Sequence, residues 1–545
     1  MLKRWLRLPV TMNRICKKRV LLFSLALNVL ISLCCILFFY ASLGCKNSYI
    51  KYESLPECQC ETMLGLSSSQ DTVEQMEESI TFLNQTTKKN LMQHHPNIPV
   101  RIIMDMTQNT RCNLMPSLFN IRWHNIYWQE AKLSQDTTVF LYSAIYDNRK
   151  HTDVRPCVRI VSVSSSTCLP PAYCHLWFNV TKPPVPSRII KTEYIDYQWM
   201  DRSREMMYLL TCRIPPSMGS IKPEAVSVVH TPCHTATNLL HVIGAAERES
   251  MAVSSNFISQ NDKWNGQEYT AAVCGPALYY YHQDFSIRMV EWLEALRAQG
   301  ISHVFLYEMD IHPNLQKVLR YYESDGFISV TKYSYPPPYI SEPSIRRLWT
   351  LVERKKMWAQ ENVYFTDCLL RHMHQYRFIA HHDPDELPVL LKHNSYTAML
   401  NQILNESYNN NARLPIGYKL QWNMFYNDVE PPASTRDLPQ YLYMMRHILR
   451  TKEDLPISSG TYKAIYDMDY TTGVSSHVVI SCNSDPCPSD LQEVSPDIAY
   501  LAHFTWTCGA KCKTQDYMRE EPAILKHIDV VKAAVTNTLK KINIT

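Results

Sequence analysis

The chain has 545 residues, 46% of them apolar and 19% charged, with only 12 glycines. That content supplies a core and excludes whole-chain disorder, fibrous folds and glycine-rich repeats. The formal net charge is +4. Lys3, Arg4, Arg7, Arg14, Lys17, Lys18 and Arg19 all precede the first acidic residue, so the rest is nearly neutral, which argues against nucleic acid as the main partner.

Residues 1–19 are read as a cytosolic tail. Val20 to Leu43 carries no charge and is long enough to cross a bilayer core of about 30 Å as a helix. The basic cluster before it holds the N-terminus in the cytosol. The run therefore predicts a single-pass signal-anchor at 20–43 with the C-terminal part luminal. A signal cleaved near Ala41 to Gly44, giving a soluble secreted form, is the alternative. Of 18 cysteines, 14 follow Cys45, an even number that suits disulfides in an oxidising lumen. Cys482, Cys487, Cys508 and Cys512 superficially resemble a zinc ribbon, but their spacings depart from the usual two residues. Asn84, Asn179, Asn405 and Asn543 are Asn-x-Ser/Thr acceptors and become surface glycan sites in this topology.

Residues 44–135 read as a polar, irregular stem. Residues 136–265 carry short runs such as Thr138 to Tyr142 and Val158 to Val163, rich in β-branched and aromatic side chains, which predicts a small disulfide-bonded β-rich unit. From 266 to 515 the pattern alternates. Ala271 to Cys274 is a short strand ended by Gly275-Pro276. Ile287, Val290, Leu293 and Leu296 mark a helix over 286–299 that Gly300 stops. Ser302 to Tyr307 is a strand. Leu315, Val318, Leu319 and Tyr322 mark a second helix, followed by Gly326, a strand at 327–330, a helical region ending near Gln375 and a strand at 377–380. This order predicts an α/β fold, a mostly parallel sheet with helices on both faces. A helical tail covers 516–545.

His381-His382-Asp383-Pro384-Asp385-Glu386 directly follows the last strand, and ligands of such sheets bind beyond the strands' carboxyl ends. Two carboxylates one residue apart can share a hard divalent ion, Mn²⁺ or Mg²⁺, which bridges protein and substrate phosphates. The same residues also make good turn chemistry without any ligand.

These residues carry a resemblance. Glu291 to Glu294, Gly300 to Tyr307, Val318 to Tyr322 with Gly326 to Ile328, Thr366 to Leu369, Phe378 to Ala380 with Asp383 to Glu386, and Ala502-His503-Phe504 come in the order found in glycosyltransferase family 92. Tyr142 to Arg149 is similar to a segment that animal members carry upstream. The sequence departs from the family pattern in Pro384 between the aspartates and in His381-His382 before them.

The resemblance implies a GT-A fold and a Golgi type II membrane enzyme. Its reaction would be inverting transfer of a hexose, galactose from UDP-galactose, to glycan acceptors of glycoproteins or glycolipids. It implies Asp383, Asp385 and His503 as metal ligands, with His477 as rival to His503. Glu308, Asp310, Asp383, Glu386 and Trp422 are the expected donor-binding residues, and Phe425 and Tyr426 are further aromatic candidates. The general base is expected to be Asp428 or Glu430, with Asp467 and Asp469 as rivals. The competing reading is a catalytically inactive, membrane-anchored glycan-binding or interaction protein on the same scaffold.

Overall fold

The computed structural model describes residues 55–56, 58–59, 85–100, 102, 112–179, 182–195, 205–244, 263–264, 267–268, 271–340, 342–409, 415–452, 461–484, 487, 490–505, 507–508 and 518–544. The expected cytosolic tail, the predicted anchor at 20–43 and Asn84 lie outside them. Among the described residues no helix is long and apolar enough to cross a membrane. Asn179, Asn405 and Asn543 are exposed, as a glycan acceptor must be.

The runs of β-branched and aromatic residues form nine strands: β1 (Trp123–Asn125), β2 (Trp128–Lys132), β3 (Thr138–Asp147), β4 (Cys157–Ser164), β5 (Tyr173–Trp177), β6 (Val185–Ile195), β7 (Met206–Arg213), β8 (Ala225–Val229) and β9 (Leu240–Ile243). Strands β3-β4-β7-β6-β5-β8-β9 follow one another, and β9 pairs back onto β3. The sheet thus closes on itself, which removes the free edges that invite aggregation. Strand β4 is buried along its whole length because its two faces serve two cores. Val158 and Ile160 point into the ring with Leu210 and Val242. Val161 and Val163 point outward and pack with Met207, Leu209 and residues of the following α/β domain. Cys174–Cys212 joins β5 to β7, and Cys58–Cys233 ties an upstream segment to the loop after β8.

Two features differ from expectation. Strands β1 and β2 extend the sheet upstream of residue 136, and helix α1 (Gln85–His94) reaches the α/β domain through Gln93 to Glu323, 3.1 Å. Residues 85–94 and 123–132 thus form regular elements, although the polar composition of this stretch reads as a stem.

After a two-strand hairpin, β10 (Lys263–Trp264) and β11 (Gln267–Glu268), come β12 (Ala271–Tyr280), α2 (Ser286–Ala298), β13 (His303–Ile311), α3 (Pro313–Ser324), β14 (Ile328–Lys332), α4 (Pro343–Val352), α5 (Arg354–Ala359), α6 (Glu361–His372), β15 (Phe378–His381) and β16 (Glu386–Leu390). Both helix stops fall where the sequence puts them, with Gly300 and Gly326 at φ of +81° and +79°, angles that cost glycine little. Gly275-Pro276 does not end β12. The strand runs on to Tyr280, with its register against β13 shifting between Cys274 and Ala277, and a bulge tolerates a proline that a regular ladder would not.

The rest of the domain comprises α7 (Tyr396–Asn409), β17 (Gly417–Tyr426), α8 (Tyr443–Arg446), β18 (Leu449–Thr451), β19 (Tyr462–Asp467), β20 (Thr471–Val474), β21 (Val479–Cys482), β22 (Gln492–Glu493), β23 (Ala499–Thr505), β24 (Met518–Glu520) and α9 (Ile528–Ile542). The main sheet runs β14-β13-β12-β15-β19-β17-β18-β24, with β23 on β17 and β16 on β23. Its first four strands are mutually parallel, whereas β19 is antiparallel to both β15 and β17. The sheet is therefore mixed, and the expected parallel part is only its first half. Chain order reverses between β12 and β15, which makes that gap the topological switch point.

The ring and the α/β domain share one core in which Trp128, Tyr142, Ile145 and Leu209 pack with Tyr307, Tyr333, Phe365 and Tyr466. Asp367 is buried at this seam. It accepts from Tyr307 Oη at 2.5 Å, from Arg371 and from Ser143 of β3. Cys274–Cys368 fastens β12 to α6 beside it. The C-terminal helix α9 is likewise part of the domain: Val531, Val535 and Leu539 belong to the core formed with α2. The four clustered cysteines are not a zinc site, because Cys482 is bonded to Cys487 and Cys508 is also in a disulfide.

Backbone crowding sets a further constraint. A Cβ at Gly417 would lie 2.3 Å from the carbonyl oxygen of Ile465 on the paired strand. Gly417→Ala is expected to destabilise the protein by about 1–3 kcal/mol, measurable as a lower denaturant midpoint at unchanged slope.

Candidate active site

The acidic turn occupies the switch point. Strand β15 delivers the chain to its carboxyl end, and Asp383 to Glu386 form a β-turn closed by Glu386 N donating to Asp383 O at 2.9 Å. Pro384 stands at the second position of that turn, where its fixed φ is favourable. The proline between the aspartates thus shapes the turn without distorting it. Glu386 folds back and accepts from Asp383 N, 2.9 Å. The His381 ring is buried against Phe365 at 4.0 Å and Tyr466 at 4.7 Å. Burial, together with Lys463, keeps it neutral by pushing its pKa well down.

Other strands converge on this turn. Glu386 is paired with His503 across β16 and β23, and Met424 of β17 is the other neighbour of His503. The His503 ring lies 4.5 Å from Trp422, and its Nε2 is 3.7 Å from Asp385 Oδ2. Burial lowers the His503 pKa, but the nearby Asp385 carboxylate, with Glu386 and Asp383 beyond it, outweighs that and raises it overall. Across the switch point, Tyr280 ends β12. Burial raises its hydroxyl pKa, and the charges of Asp385 and Asp383 add to that.

Lys463 of β19 is the residue that sequence reasoning missed. Its ammonium is 2.7 Å from Asp383 Oδ2 and 3.8 Å from Glu386 Oε1, and its side chain is only 4% exposed. Burial alone would raise the Asp383 pKa, but Lys463 holds it below the ordinary value. Glu386 is pushed up to about 8 by burial in spite of Lys463. Glu361, at the start of α6, is also pushed up to about 8, by burial and by the charge of Asp383. The signal available in the sequence was a single lysine inside the apolar run Tyr462-Lys463-Ala464-Ile465-Tyr466.

The predicted site residues divide as follows. Asp383, Asp385, Glu386, Trp422 and His503 come together. Asp383 also supplies the counter-charge that the buried Lys463 ammonium needs, through Oδ2 at 2.7 Å, whereas Asp385 turns toward His503. Among the described residues no group of three or more His, Cys, Asp or Glu side chains is placed to hold one ion. His477 stacks edge-on to Trp422 at 5.4 Å, with Nδ1 2.7 Å from Tyr462 O. Glu308 and Asp310 lie at the same sheet edge on β13, paired with Lys332 and Arg346. Asp428, in the turn after β17, accepts from Cys508 N at 2.9 Å, and Glu430 is exposed nearby. Phe425 is buried in the core and Tyr426 is half-buried. Asp467 pairs with Arg377 and lies opposite Phe378 at the other end of β15, and Asp469 faces the same arginine. Neither can reach the acidic turn.

Asp385 and His503 do fit a divalent ion. They present a carboxylate and an imidazole side by side, and His503 Nδ1 and Trp422 Nε1 are buried without a partner. A mixed oxygen–nitrogen pair suits Mn²⁺ better than Mg²⁺.

An α/β domain with carboxylates and an imidazole gathered at its switch point has the layout of an enzyme that handles nucleotide-linked groups. Residues 269–532 match the family model described as glycosyltransferase family 92. This region of the chain belongs to that family and is a glycosyltransferase domain.

None of the curated proteins matches the chain. S. aureus TarS in complex with UDP is similar at a TM-score of 0.21 and 12% identity, over 36% of this chain and 47% of that one. This chain thus spans about half the length of that relative. The TarS complex with UDP-GlcNAc gives 0.23 and 12%, over 50% and 71%. Glucosyl-3-phosphoglycerate synthase from Mycobacterium tuberculosis, in complex with Mn²⁺, uridine diphosphate and glucosyl-3-phosphoglycerate, gives 0.18 and 9%, over 51% and 81%. These scores are too low to establish a shared fold.

Proposed function

We propose that the protein is a GT-A-type, metal-dependent, inverting hexosyltransferase of the Golgi membrane. It moves galactose from UDP-galactose to glycan acceptors of glycoproteins or glycolipids, with its C-terminal part in the lumen. The observation that carries this reading is the Asp385–His503 pair, 3.7 Å apart, at the switch point of a family 92 domain. Asp385 and His503 would hold the divalent ion, which supplies Lewis-acid neutralisation of the charge on the departing diphosphate.

The chain's own groups do the rest. Trp422, half-buried beside His503 with a free indole N–H, orients the sugar or phosphate through that donor. Glu308 and Asp310 border the same edge one strand away and face the nucleoside. The acceptor hydroxyl attacks the anomeric carbon while the bond from that carbon to the diphosphate oxygen breaks. The hydroxyl proton passes to the base, Asp428 or Glu430. Inversion needs only this one displacement.

The full-length protein, incubated with a panel of UDP-sugars and glycan acceptors, is expected to transfer galactose with Mn²⁺ and to stop in EDTA. Failure with every donor, with wild type equal to Asp385→Ala, would leave the inactive glycan-binding protein as the correct reading. Asp428→Asn and Glu430→Gln separate the two bases: the true one loses about 10²–10⁴-fold in kcat with little change in donor KM.

A further inference from the structure

Lys463 is fixed in the middle of the sheet. Its strand pairs with β15 on one side and β17 on the other, where Lys463 itself is opposite Leu420. The Trp422 ring lies 5.8 Å from Nζ. An ammonium so placed has lost its water, and its charge must be met by carboxylates. Asp383 meets it at 2.7 Å and Glu386 only at 3.8 Å. Asp383 is 33% exposed and Asp385 40%, so both carboxylates can be reached by an ion, but Asp383 is held by the Lys463 ammonium at 2.7 Å whereas Asp385 faces the His503 imidazole at 3.7 Å.

We propose that Lys463 is a positioning residue that withholds Asp383 from the divalent ion, so that Asp385 and His503 alone hold it on the protein. This rests on reading the site as a nucleotide-sugar site. Two protein ligands fill a minor part of the shell of a hexacoordinate ion, and the remaining positions fall to water and to the donor's phosphates. The ion and the donor therefore bind together, each weakly without the other.

The test is titration of the full-length protein with Mn²⁺, read as the loss of the free-ion electron paramagnetic resonance signal, with and without UDP. Wild type should bind Mn²⁺ at least about tenfold more tightly with UDP present. Asp385→Asn should abolish binding, whereas the near-isosteric Asp383→Asn should stay within about threefold of wild type, a loss of charge without loss of a ligand. Lys463→Met should release Asp383 as a third ligand and tighten Mn²⁺ binding without UDP by about tenfold. Asp383→Asn losing as much affinity as Asp385→Asn would overturn the proposal, and so would a folded Lys463→Met that binds Mn²⁺ no more tightly. The Asp383→Asn arm decides the matter if Lys463→Met does not fold. Should the Mn²⁺ pattern hold while no UDP-sugar is turned over, the functional reading fails and the assignment of Lys463 stands. The reverse result fails the assignment alone.

Discussion

Asp385→Asn is expected to lower kcat/KM for sugar transfer by about 10³-fold, equivalent to about 4 kcal/mol of transition-state stabilisation, while leaving the thermal midpoint close to that of wild type. The substitution keeps the shape of the turn and the backbone bond from Phe504 N to Asp385 O, 2.9 Å. It removes the charge that faces His503. The side chain is 40% exposed, so the folded state loses little. His503→Gln should cost a similar amount, and the double variant should be scarcely worse than either single one, because two ligands of one ion act as a unit. Additive losses would place the two residues in separate roles.

The second large effect lies at the seam between the ring and the α/β domain. Asp147 ends β3, fully buried. It accepts from Arg149 Nη2 at 2.8 Å and from Arg159 Nε at 2.7 Å. Arg149 in turn donates to the carbonyls of Met468 and Thr471 in the other domain, the latter at 2.8 Å. Asp147→Asn would leave the buried Arg149 guanidinium against a neutral amide and Arg159 with only Glu193, 3.5 Å away, and removing one partner of a buried ion pair costs about 3–5 kcal/mol. Chemical denaturation should show that loss at neutral pH. Burial alone would raise the Asp147 pKa, but the two arginines hold it far below the ordinary carboxylate value. Its contribution is therefore complete above the unfolded pKa of about 4 and declines as the pH falls through and below that value. Wild type and variant should accordingly converge in acid.

Local patterns were legible where local physics decides. Helices α2 and α3 were readable from leucine spacing and terminal glycines because their burial follows from one repeating face. The acidic turn was readable because it directly follows a strand. Strand β12 was cut short at Gly275-Pro276 because a bulge depends on the partner strand, which the residues themselves do not reveal. The doubly buried β4 was recognised as a strand, but nothing in its sequence says that its two faces belong to different cores. The engagement of Asp383 was invisible for the same reason. Lys463 lies 80 positions away in the chain, and only the β15–β19 pairing brings it across. Asp467 has the chemistry of a base, but that same pairing sets it beside Phe378, at the wrong end of the strand.

The claim on which the account turns is that Asp385 and His503 hold an ion together with a nucleotide at the β12–β15 switch point. Crystals of the protein grown with Mn²⁺ and UDP, measured at the manganese absorption edge, test it directly. The account predicts one anomalous peak about 2.0–2.3 Å from the Asp385 carboxylate and from His503 Nε2, with the diphosphate on its open side and Lys463 still on Asp383. An ion bound elsewhere, or UDP seated away from the carboxyl ends of β12 and β15, would contradict it.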